Sequence, residues 1–598
     1  MKLLRIKITD PKGFRSLQAG FEYRFRSEWD LQEEQGFAPF VCAGPNGSGK
    51  SNLLEVLAAI FYHLECIDLT NLPDSFRYEE QANPQGFRSD KGIPDGFEIE
   101  YLIRPKDALK ISGPDGQAHV KIVKITGETP KWYWLKHEDG FYEEEEVVGK
   151  TIGRQLMPEY ILGYSSGENE ILSLPFFKMR FIQFDEYWQA LKQQLPYPGR
   201  PESRLVYLDS GFSQAILLCN LLYHETDALQ SFREEIKIQE LTEFRIIIRR
   251  SIEVLPDEVF SFVTGHSPEF EKALEIAKNH PALSVVEASD SDNKNFRCNL
   301  IKLLEGDENI SPRTDGIINR MKRCATCWYI DEASDTLYLD YFVNDATRQA
   351  FSENFDFDAN KSPVELFQAF QVLLTLNLFS VSHNLKKDLY QSDSLYVSET
   401  VPTLASDERI MRFKDFWVTK TDVNEPILLK SFSDGEHQLL HTLGLCRLFK
   451  NTQSLFLLDE PETHFNPDWR ANFVTRLHDC FNGSEGHEMF VTTHTPFLIS
   501  DSKPEKVLVF KKENGMVSVK HPEYNTLGAS INKITMATFD KRETIGLRAQ
   551  TMLDGLRQRF EQGEDKEQLL TEINQQLGDS VEKVLLIKMI IDSMEARP

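Results

Sequence analysis

Gly44-Pro45-Asn46-Gly47-Ser48-Gly49-Lys50-Ser51 lies between the apolar run Phe40-Val41-Cys42-Ala43 and the helix-like Asn52-Leu53-Leu54-Glu55-Val56-Leu57-Ala58-Ala59-Ile60-Phe61. A short buried strand, a glycine-rich turn and an amphipathic helix in that order leave few folds open, because the turn has the G-x-x-x-x-G-K-[ST] spacing of a phosphate loop. Its glycines let successive backbone N–H groups curl round a phosphate without Cβ clashes, and the new helix turns its N-terminus toward the anion. Gly44, Asn46, Gly47, Ser48, Gly49, Lys50, Ser51 and Asn52 are therefore candidate nucleotide-binding residues. Lys50 is expected on the β- and γ-phosphates and the Ser51 hydroxyl on Mg²⁺. The same spacing also arises by chance in long chains as a structural turn, so the other parts of such a site have to be found elsewhere.

Three later stretches bear on this. Lys430-Ser431-Phe432-Ser433-Asp434-Gly435-Glu436-His437-Gln438 precedes an apolar helix pattern from Leu439 to Phe449. It puts the Ser433 hydroxyl and the Gly435 amide at a second helix N-terminus, where they can meet an anion. Ser454-Leu455-Phe456-Leu457-Leu458-Asp459-Glu460-Pro461-Glu462 is an apolar strand ending in adjacent acids. Burial of that strand fixes Asp459 where it can join Ser51 on Mg²⁺ and leaves Glu460 as the expected general base. Glu488-Met489-Phe490-Val491-Thr492-Thr493-His494 is a strand running into a histidine. Singly, these read as an ordinary strand end and a satisfied structural imidazole. Their order behind a phosphate loop reverses that preference and makes Glu460, His494 and Lys50 the candidate catalytic residues.

The remaining chain bounds the answer. At 598 residues it exceeds the ~250–300 at which single cores stop growing. Its formal charge of −26 disfavours non-specific binding to polyanions, since such affinity rests on cationic side chains that displace counterions. Any nucleic-acid contact would need a local basic surface; Phe244 to Arg250 and Arg320 to Arg323 are the notable basic stretches, with solvated helix faces as the plainer reading. Among eight scattered cysteines only Cys324-Ala325-Thr326-Cys327 has C-x-x-C spacing, without the second pair or histidines of a zinc ribbon. Met1 to Ile8 alternates like a strand and lacks a signal peptide's apolar core, and no apolar run approaches the ~18 residues of a membrane span. A cytoplasmic protein with reduced thiols and no membrane partner is expected.

Strands are expected over Leu3–Ile8, Phe21–Phe25, Phe97–Arg104, His119–Ile125 and Trp132–Leu135, with an acidic edge at Glu143 to Glu146 and an irregular loop from Asn71 to Asp95. From about Arg204 to Ser380 the pattern reads mainly helical, with apolar helices at Ser213–Tyr223 and Val364–Phe379 and one hairpin, Trp328–Asp331 with Leu337–Phe342. No internal repeat and no sustained heptads occur there.

The succession of phosphate loop, Phe432-Ser433-Asp434-Gly435-Glu436, Asp459-Glu460 and His494 resembles ABC-type ATPases of the RecF/SMC/OLD-like group. The resemblance covers roughly residues 1–65, 155–185 and 410–540. It implies an α/β P-loop NTPase head of ABC type with an antiparallel β subdomain, joined to a mostly helical insertion and a helical C-terminal tail. It further implies ATP and Mg²⁺ as ligands, with Ser433 and Gly435 contacting the γ-phosphate held by a second copy. Gly13-Phe14-Arg15-Ser16-Leu17 is similar to the segment that places a basic residue near the nucleotide, which makes Arg15 a candidate beside its reading as a solvated arginine. Pro158-Glu159-Tyr160-Ile161-Leu162-Gly163-Tyr164-Ser165-Ser166-Gly167-Glu168-Asn169-Glu170 is similar to the element leaving the first lobe, and Gln183 is the nearest candidate for the Q-loop glutamine. Thr463-His464-Phe465-Asn466-Pro467 occupies the D-loop position. Four regions are expected: head lobe I at 1–185, the insertion at 186–405, head lobe II at 406–525 and the tail at 526–598.

More than half of the chain separates Lys50 from Ser433. ABC transporters have a shorter spacing and SMC proteins a longer, coiled-coil one. A compact insertion resembles RecF, OLD nucleases and the ATPase subunits of antiphage systems such as Septu and certain retrons. Tyr524 to Ile534 is similar to the segment after the head in those defence ATPases, and no strand ending in paired acids with a D-x-D partner follows His494, so any nuclease would be a separate protein. The resemblance thus implies an ATP-driven switch that forms a homodimer or higher oligomer and governs a separate effector in antiphage defence. The alternative is a RecF-like DNA-binding repair factor, with a head that binds ATP and scarcely hydrolyses it as a third reading.

Overall fold

Three of the apolar runs flanking the candidate motifs lie side by side as strands of one sheet. The computed structural model describes residues 1–598 except 28–29, 32–35, 68, 70–91, 106–115, 139–140, 148, 168, 194–202, 224–229, 264–269, 288–293, 305–315, 356–362, 393, 406–407, 485, 540–544 and 596–598. Most of the loop expected at Asn71 to Asp95, and Glu168, lie outside the described residues.

The central sheet has seven strands in the order Met516–Lys520, Val507–Glu513, Phe40–Ala43, Glu488–Thr492, Ser454–Asp459, Tyr160–Ser165, Leu205–Tyr207. All neighbours are parallel except the edge pair Val507–Glu513 with Met516–Lys520. Phe40–Ala43, Ser454–Asp459 and Glu488–Thr492 are buried at every residue, as uninterrupted apolar runs must be when both faces of a parallel sheet are covered. The phosphate loop, Asp459 and His494 all follow the C-terminal ends of these strands, where open α/β sheets bind their ligands.

A six-stranded antiparallel sheet packs beside it, in the order Glu22–Arg24, Lys2–Ile8, Phe97–Ile103, Ala118–Lys124, Lys131–Glu138, Phe141–Glu146. Phe97–Ile103 and Ala118–Lys124 alternate buried and half-buried residues, the period of a sheet with one covered face. The acidic stretch at Glu143 to Glu146 forms its last strand, where Glu144 meets Lys121 and Glu145 meets Lys136, each at 2.6 Å. Buried Arg26 pairs with Glu488 at 2.5 Å and ties this sheet to the central one.

The region between the two parts of the head differs from its sequence pattern. Helices Ser210–Tyr223 and Val364–Thr375 are present and pack together. Beside them lies an antiparallel sheet of Cys327–Asp331, Thr336–Phe342, Ile238–Arg249, Met411–Lys420 and Ile427–Leu428, in which the expected hairpin pairs through Thr336–Phe342 with Ile238–Arg249, the strand that the helical reading missed. Ile238–Arg249 is a strand, not a helix face; Phe244, Ile246 and Ile248 are buried at period 2, and its isoleucines suit a pleated surface. Ser251–Val254, Lys294–Asn299 and Leu283–Glu287 form a further three-stranded sheet. The expected region boundaries also cut through elements. Helix Glu170–Lys192 crosses 185/186, Leu205–Tyr207 joins the central sheet, and Met411–Lys420 belongs to the insertion's sheet.

The helices Leu547–Glu561, Lys566–Gln576 and Val581–Glu595 close a small core of their own from Leu553, Leu556, Leu569, Ile573, Leu586 and Ile590. No single described helix is long and apolar enough to cross a membrane. The cysteines are free thiols; Cys324 is buried and donates to the Ala350 carbonyl at 3.4 Å, while Cys327 is exposed.

Candidate functional site

The phosphate loop begins at a residue that has to be glycine. Gly44 has φ +143°, and a Cβ there would sit 2.3 Å from the Phe510 carbonyl oxygen of the neighbouring strand. That close approach brings strand Val507–Glu513 along the loop and carries Lys512 to the rim of a cleft of about 750 Å³. Arg15, Ser16, Asn46, Gly47, Gly49, Lys50, Ser51, Asn52, Glu460 and His494 line the rest.

Within it, the Lys50 ammonium donates to the carbonyls of Gly44 (3.0 Å) and Pro45 (3.1 Å). Burial lowers its pKa, against the opposing pull of Glu460 and Asp459. Asp459, itself buried, gathers neutral donors: the hydroxyls of Ser51 (2.8 Å), Thr492 (2.6 Å) and Ser165 (3.4 Å) and the amide of Asn169 (3.0 Å). Asn169 caps helix Glu170–Lys192 and also donates to Glu55 at 3.2 Å. Glu55 further accepts from Asn52 (2.7 Å) and pairs with Arg15 at 3.8 Å, while Ser16 donates to Asn52. Desolvation raises the Glu55 pKa, with the Asn52 and Asn169 hydrogen bonds opposing.

Glu460 adopts φ +51°, a left-handed conformation that costs a non-glycine residue about 1–3 kcal/mol. Its amide is held by Thr492, donating to Oγ1 (3.0 Å) and to the carbonyl (3.2 Å). The turn brings the Glu460 carboxylate 2.9 Å from His494 Nε2, and that hydrogen bond holds the carboxyl below its ordinary value.

The residues present suit a Mg–nucleotide. Asp459 and Ser51 offer the oxygen ligands a hard divalent cation takes. Among the described residues the hydrogen bonds of Lys50 go to neutral carbonyls, and the Ser48 hydroxyl, buried in the loop, has no hydrogen-bond partner.

Ser433 and Gly435 are not among the residues lining the cleft. Ser433 caps helix Asp434–Leu448 in a capping box with Glu436, accepting the Glu436 amide (3.3 Å) and donating to its carboxylate (2.9 Å). Lys420 fixes the other oxygen of Glu436 at 2.6 Å. A Cβ on Gly435 would lie 2.8 Å from the His464 carbonyl, so the helix start and the turn after Asp459-Glu460 lock against each other.

Gln183, the Q-loop candidate, is not brought to the cleft. It is buried in mid-helix; the amide that reaches Asp459 belongs to Asn169, at the start of the same helix. Asn169 follows a small-residue turn between strand and helix, and only the pairing of that strand with Ser454–Asp459 sets it beside Asp459. Lys512 carries no motif, and only the pairing of its strand with Phe40–Ala43 puts it here. The basic stretches are occupied within the fold: Arg245 with Asp340, Arg249 with the Glu408 carbonyl, Arg250 with Glu332, and Arg323 with Asn354.

A protein-family model described as "AAA domain, putative AbiEii toxin, Type IV TA system" matches residues 330–500, the span that holds Ser433, Gly435, Asp459, Glu460 and His494. Two solved structures are similar at a distance too great to bear on function. One is an Smc head bound to the C-terminal winged-helix domain of ScpA (9% identity, 88% of this chain and 98% of that chain, TM-score 0.31). The other is an Smc head domain with coiled coil and joint from Pyrococcus yayanosii (12% identity, 87% and 97%, TM-score 0.28). No curated protein matches the chain. Phosphate loop, acidic strand end and histidine thus stand together at the C-terminal ends of neighbouring inner strands of this sheet, and the AAA-domain family model matches over residues 330–500, which hold the acidic strand end and the histidine.

Proposed function

We propose that the chain binds and hydrolyses ATP with Mg²⁺ as a switch in which two copies close on two nucleotides, and that closure governs a separate nuclease or toxin in antiphage defence. The division of the site carries this reading. Lys50, Ser51, Glu460 and His494 share one cleft, with Asp459 bonded to Ser51 at its wall, while Ser433 stands exposed at a helix start outside it.

In this reading Lys50 leaves its two carbonyl partners to take the β- and γ-phosphates. Ser51 and Asp459 would hold Mg²⁺, which when bound neutralises charge on the phosphate oxygens. Glu460, kept ionised by His494, takes the proton of the attacking water. Ser433 and Gly435 of the second copy bring a helix N-terminus to the γ-phosphate. ATP favours closure because its γ-phosphate is the bridging anion, and hydrolysis removes the bridge.

Two observations support control of an effector over DNA binding. The matching family model's description concerns a putative toxin, and the arginines of the basic stretches are engaged within the fold of a chain with charge −26. Light scattering of the purified chain in ADP and in ATP, with ATPase rates against Lys50→Ala, tests the switch. Turnover no higher than that of the variant would sink it. Phage challenge of cells carrying the chain with and without its neighbouring gene tests the defence role.

A further inference from the structure

Glu462 lies two residues past the proposed base and is buried, at 3% exposure. Its Oε1 accepts the hydroxyl proton of Thr493, which is wholly buried, and Thr493 Oγ1 in turn accepts the amide of Thr495 at 3.0 Å. These two bonds bracket His494. The Glu462 carbonyl accepts from Phe465 (3.0 Å), and the amide of His464 donates to Gln438 of helix Asp434–Leu448 at 2.8 Å.

The other carboxyl oxygen, Oε2, is buried with no hydrogen-bond partner among the described residues. Arg470, on helix Pro467–Phe481, gives its guanidinium to the main-chain carbonyls of Glu462 (3.2 Å) and Thr463 (2.7 Å). The other charged and titratable groups that act on the carboxyl are Glu460 on the same turn and Arg470, with Tyr164 on strand Tyr160–Ser165 feeling its charge in turn; His494 follows Thr493 directly in the chain. An ionised carboxylate here would be a buried charge beside a second carboxylate, the arrangement that proteins avoid by keeping the proton.

We infer that Glu462 is a positioning residue that holds Thr493, and through it the loop carrying His494, as an uncharged acid. Burial pushes its carboxyl up to about 7 and Glu460 adds to the rise, against the opposing hydrogen bonds from Thr493 and its own amide and the charge of Arg470. The neutral form keeps an acceptor for Thr493 and leaves His494 to Glu460 alone. Ionisation sets a second negative charge near His494 and weakens that pairing. The folded value is raised above the ordinary 4.5, so the contribution to stability is present at low pH and is lost as pH rises through the folded value.

The inference rests on the ATPase reading for its kinetic arm and not for its stability arm. Steady-state ATPase of the full chain, Glu462→Gln and Glu462→Ala is measured from pH 6 to about 8.5, with thermal unfolding of the nucleotide-free proteins over the same range. Glu462→Ala is expected to lose about 10- to 100-fold in kcat with KM for ATP little changed, because the loop is misplaced. Glu462→Gln, which keeps the acceptor and cannot ionise, is expected to restore turnover and to lack the alkaline decline of the unsubstituted chain. Its melting temperature should hold between pH 6 and 8 where that of the unsubstituted chain falls. A Glu462→Gln protein as impaired as Glu462→Ala, or melting profiles that run parallel, overturns the inference. Absence of turnover in every protein overturns the ATPase reading instead, and the melting profiles then decide on Glu462.

Discussion

The Thr492 hydroxyl donates to Asp459 Oδ1 at 2.6 Å and accepts the Glu460 amide at 3.0 Å. One side chain on the neighbouring strand thus sets both the orientation of the proposed Mg²⁺ ligand and the left-handed turn that aims the proposed base. Thr492→Val keeps the shape and the β-branch while removing both bonds. Outer-shell partners of this kind are worth about 10- to 100-fold in metal affinity or activity. A Mg²⁺ titration of the ATPase should show a rise in the half-saturating concentration of that order, and an unchanged titration would remove Thr492 from the site.

Glu460→Gln should cut hydrolysis by about 10²- to 10⁴-fold, the usual contribution of a positioned general base, while leaving ATP binding intact. Size-exclusion chromatography with light scattering is expected to show a dimer that persists in ATP and Mg²⁺. Wild-type turnover in this variant would refute the assignment of the base.

The same residue has a pH signature without nucleotide. The His494 hydrogen bond holds Glu460 below its ordinary value of 4.5. A depressed folded value contributes stability above the unfolded value and loses it as pH falls through the folded one. Melting curves from pH 7 to 3 should therefore show the difference between the unsubstituted chain and Glu460→Gln shrinking below about pH 4.5.

Gly435→Ala forces a methyl group to 2.8 Å from the His464 carbonyl and moves the helix start that would meet the second copy's nucleotide. ATP binding by the single chain should survive, and ATP-driven dimerisation should fail. Mixing Gly435→Ala with Lys50→Ala is the sharper measurement. Both defects fall on one site of a heterodimer, so the other site combines an intact phosphate loop with an intact Ser433–Gly435 helix start and mixing restores some turnover. A same-chain site predicts none.

The tail offers a stability test away from the head. Ile573 is wholly buried in the small separate core, and Ile573→Ala should cost about 2–5 kcal/mol there. Hydrogen exchange should accelerate across residues 547–595 while protection of the central strands is unchanged.

The head was legible because its strands are short apolar runs that end in chemistry-bearing residues, and because glycine, lysine and paired acids have few other reasons to stand at those ends. Asn169 and Lys512 were not. An amide at a helix cap and a lysine on an outer strand acquire meaning only from pairings across hundreds of residues, such as Ser165 opposite Asp459 and Leu508 opposite Cys42. The sequence of strand Ile238–Arg249 reads equally as helix because Ile246-Ile247-Ile248 is an uninterrupted apolar run, and such a run fits either period. Gln183 failed as a candidate because proximity in the chain was its sole support.

Leu205–Tyr207 leaves the insertion to become the edge of the central sheet beside Tyr160–Ser165. That pairing makes the insertion a poor unit for modular exchange. A graft that joined residues on either side of it, as though it were a decoration on a finished head, would strip the hydrogen bonds from one side of Tyr160–Ser165 and present a bare apolar strand to solvent, the template on which chains stick to one another. Recombination among relatives of this architecture should therefore respect the strand and cut elsewhere, and truncated heads should be recovered as aggregates unless residues 205–207 travel with them.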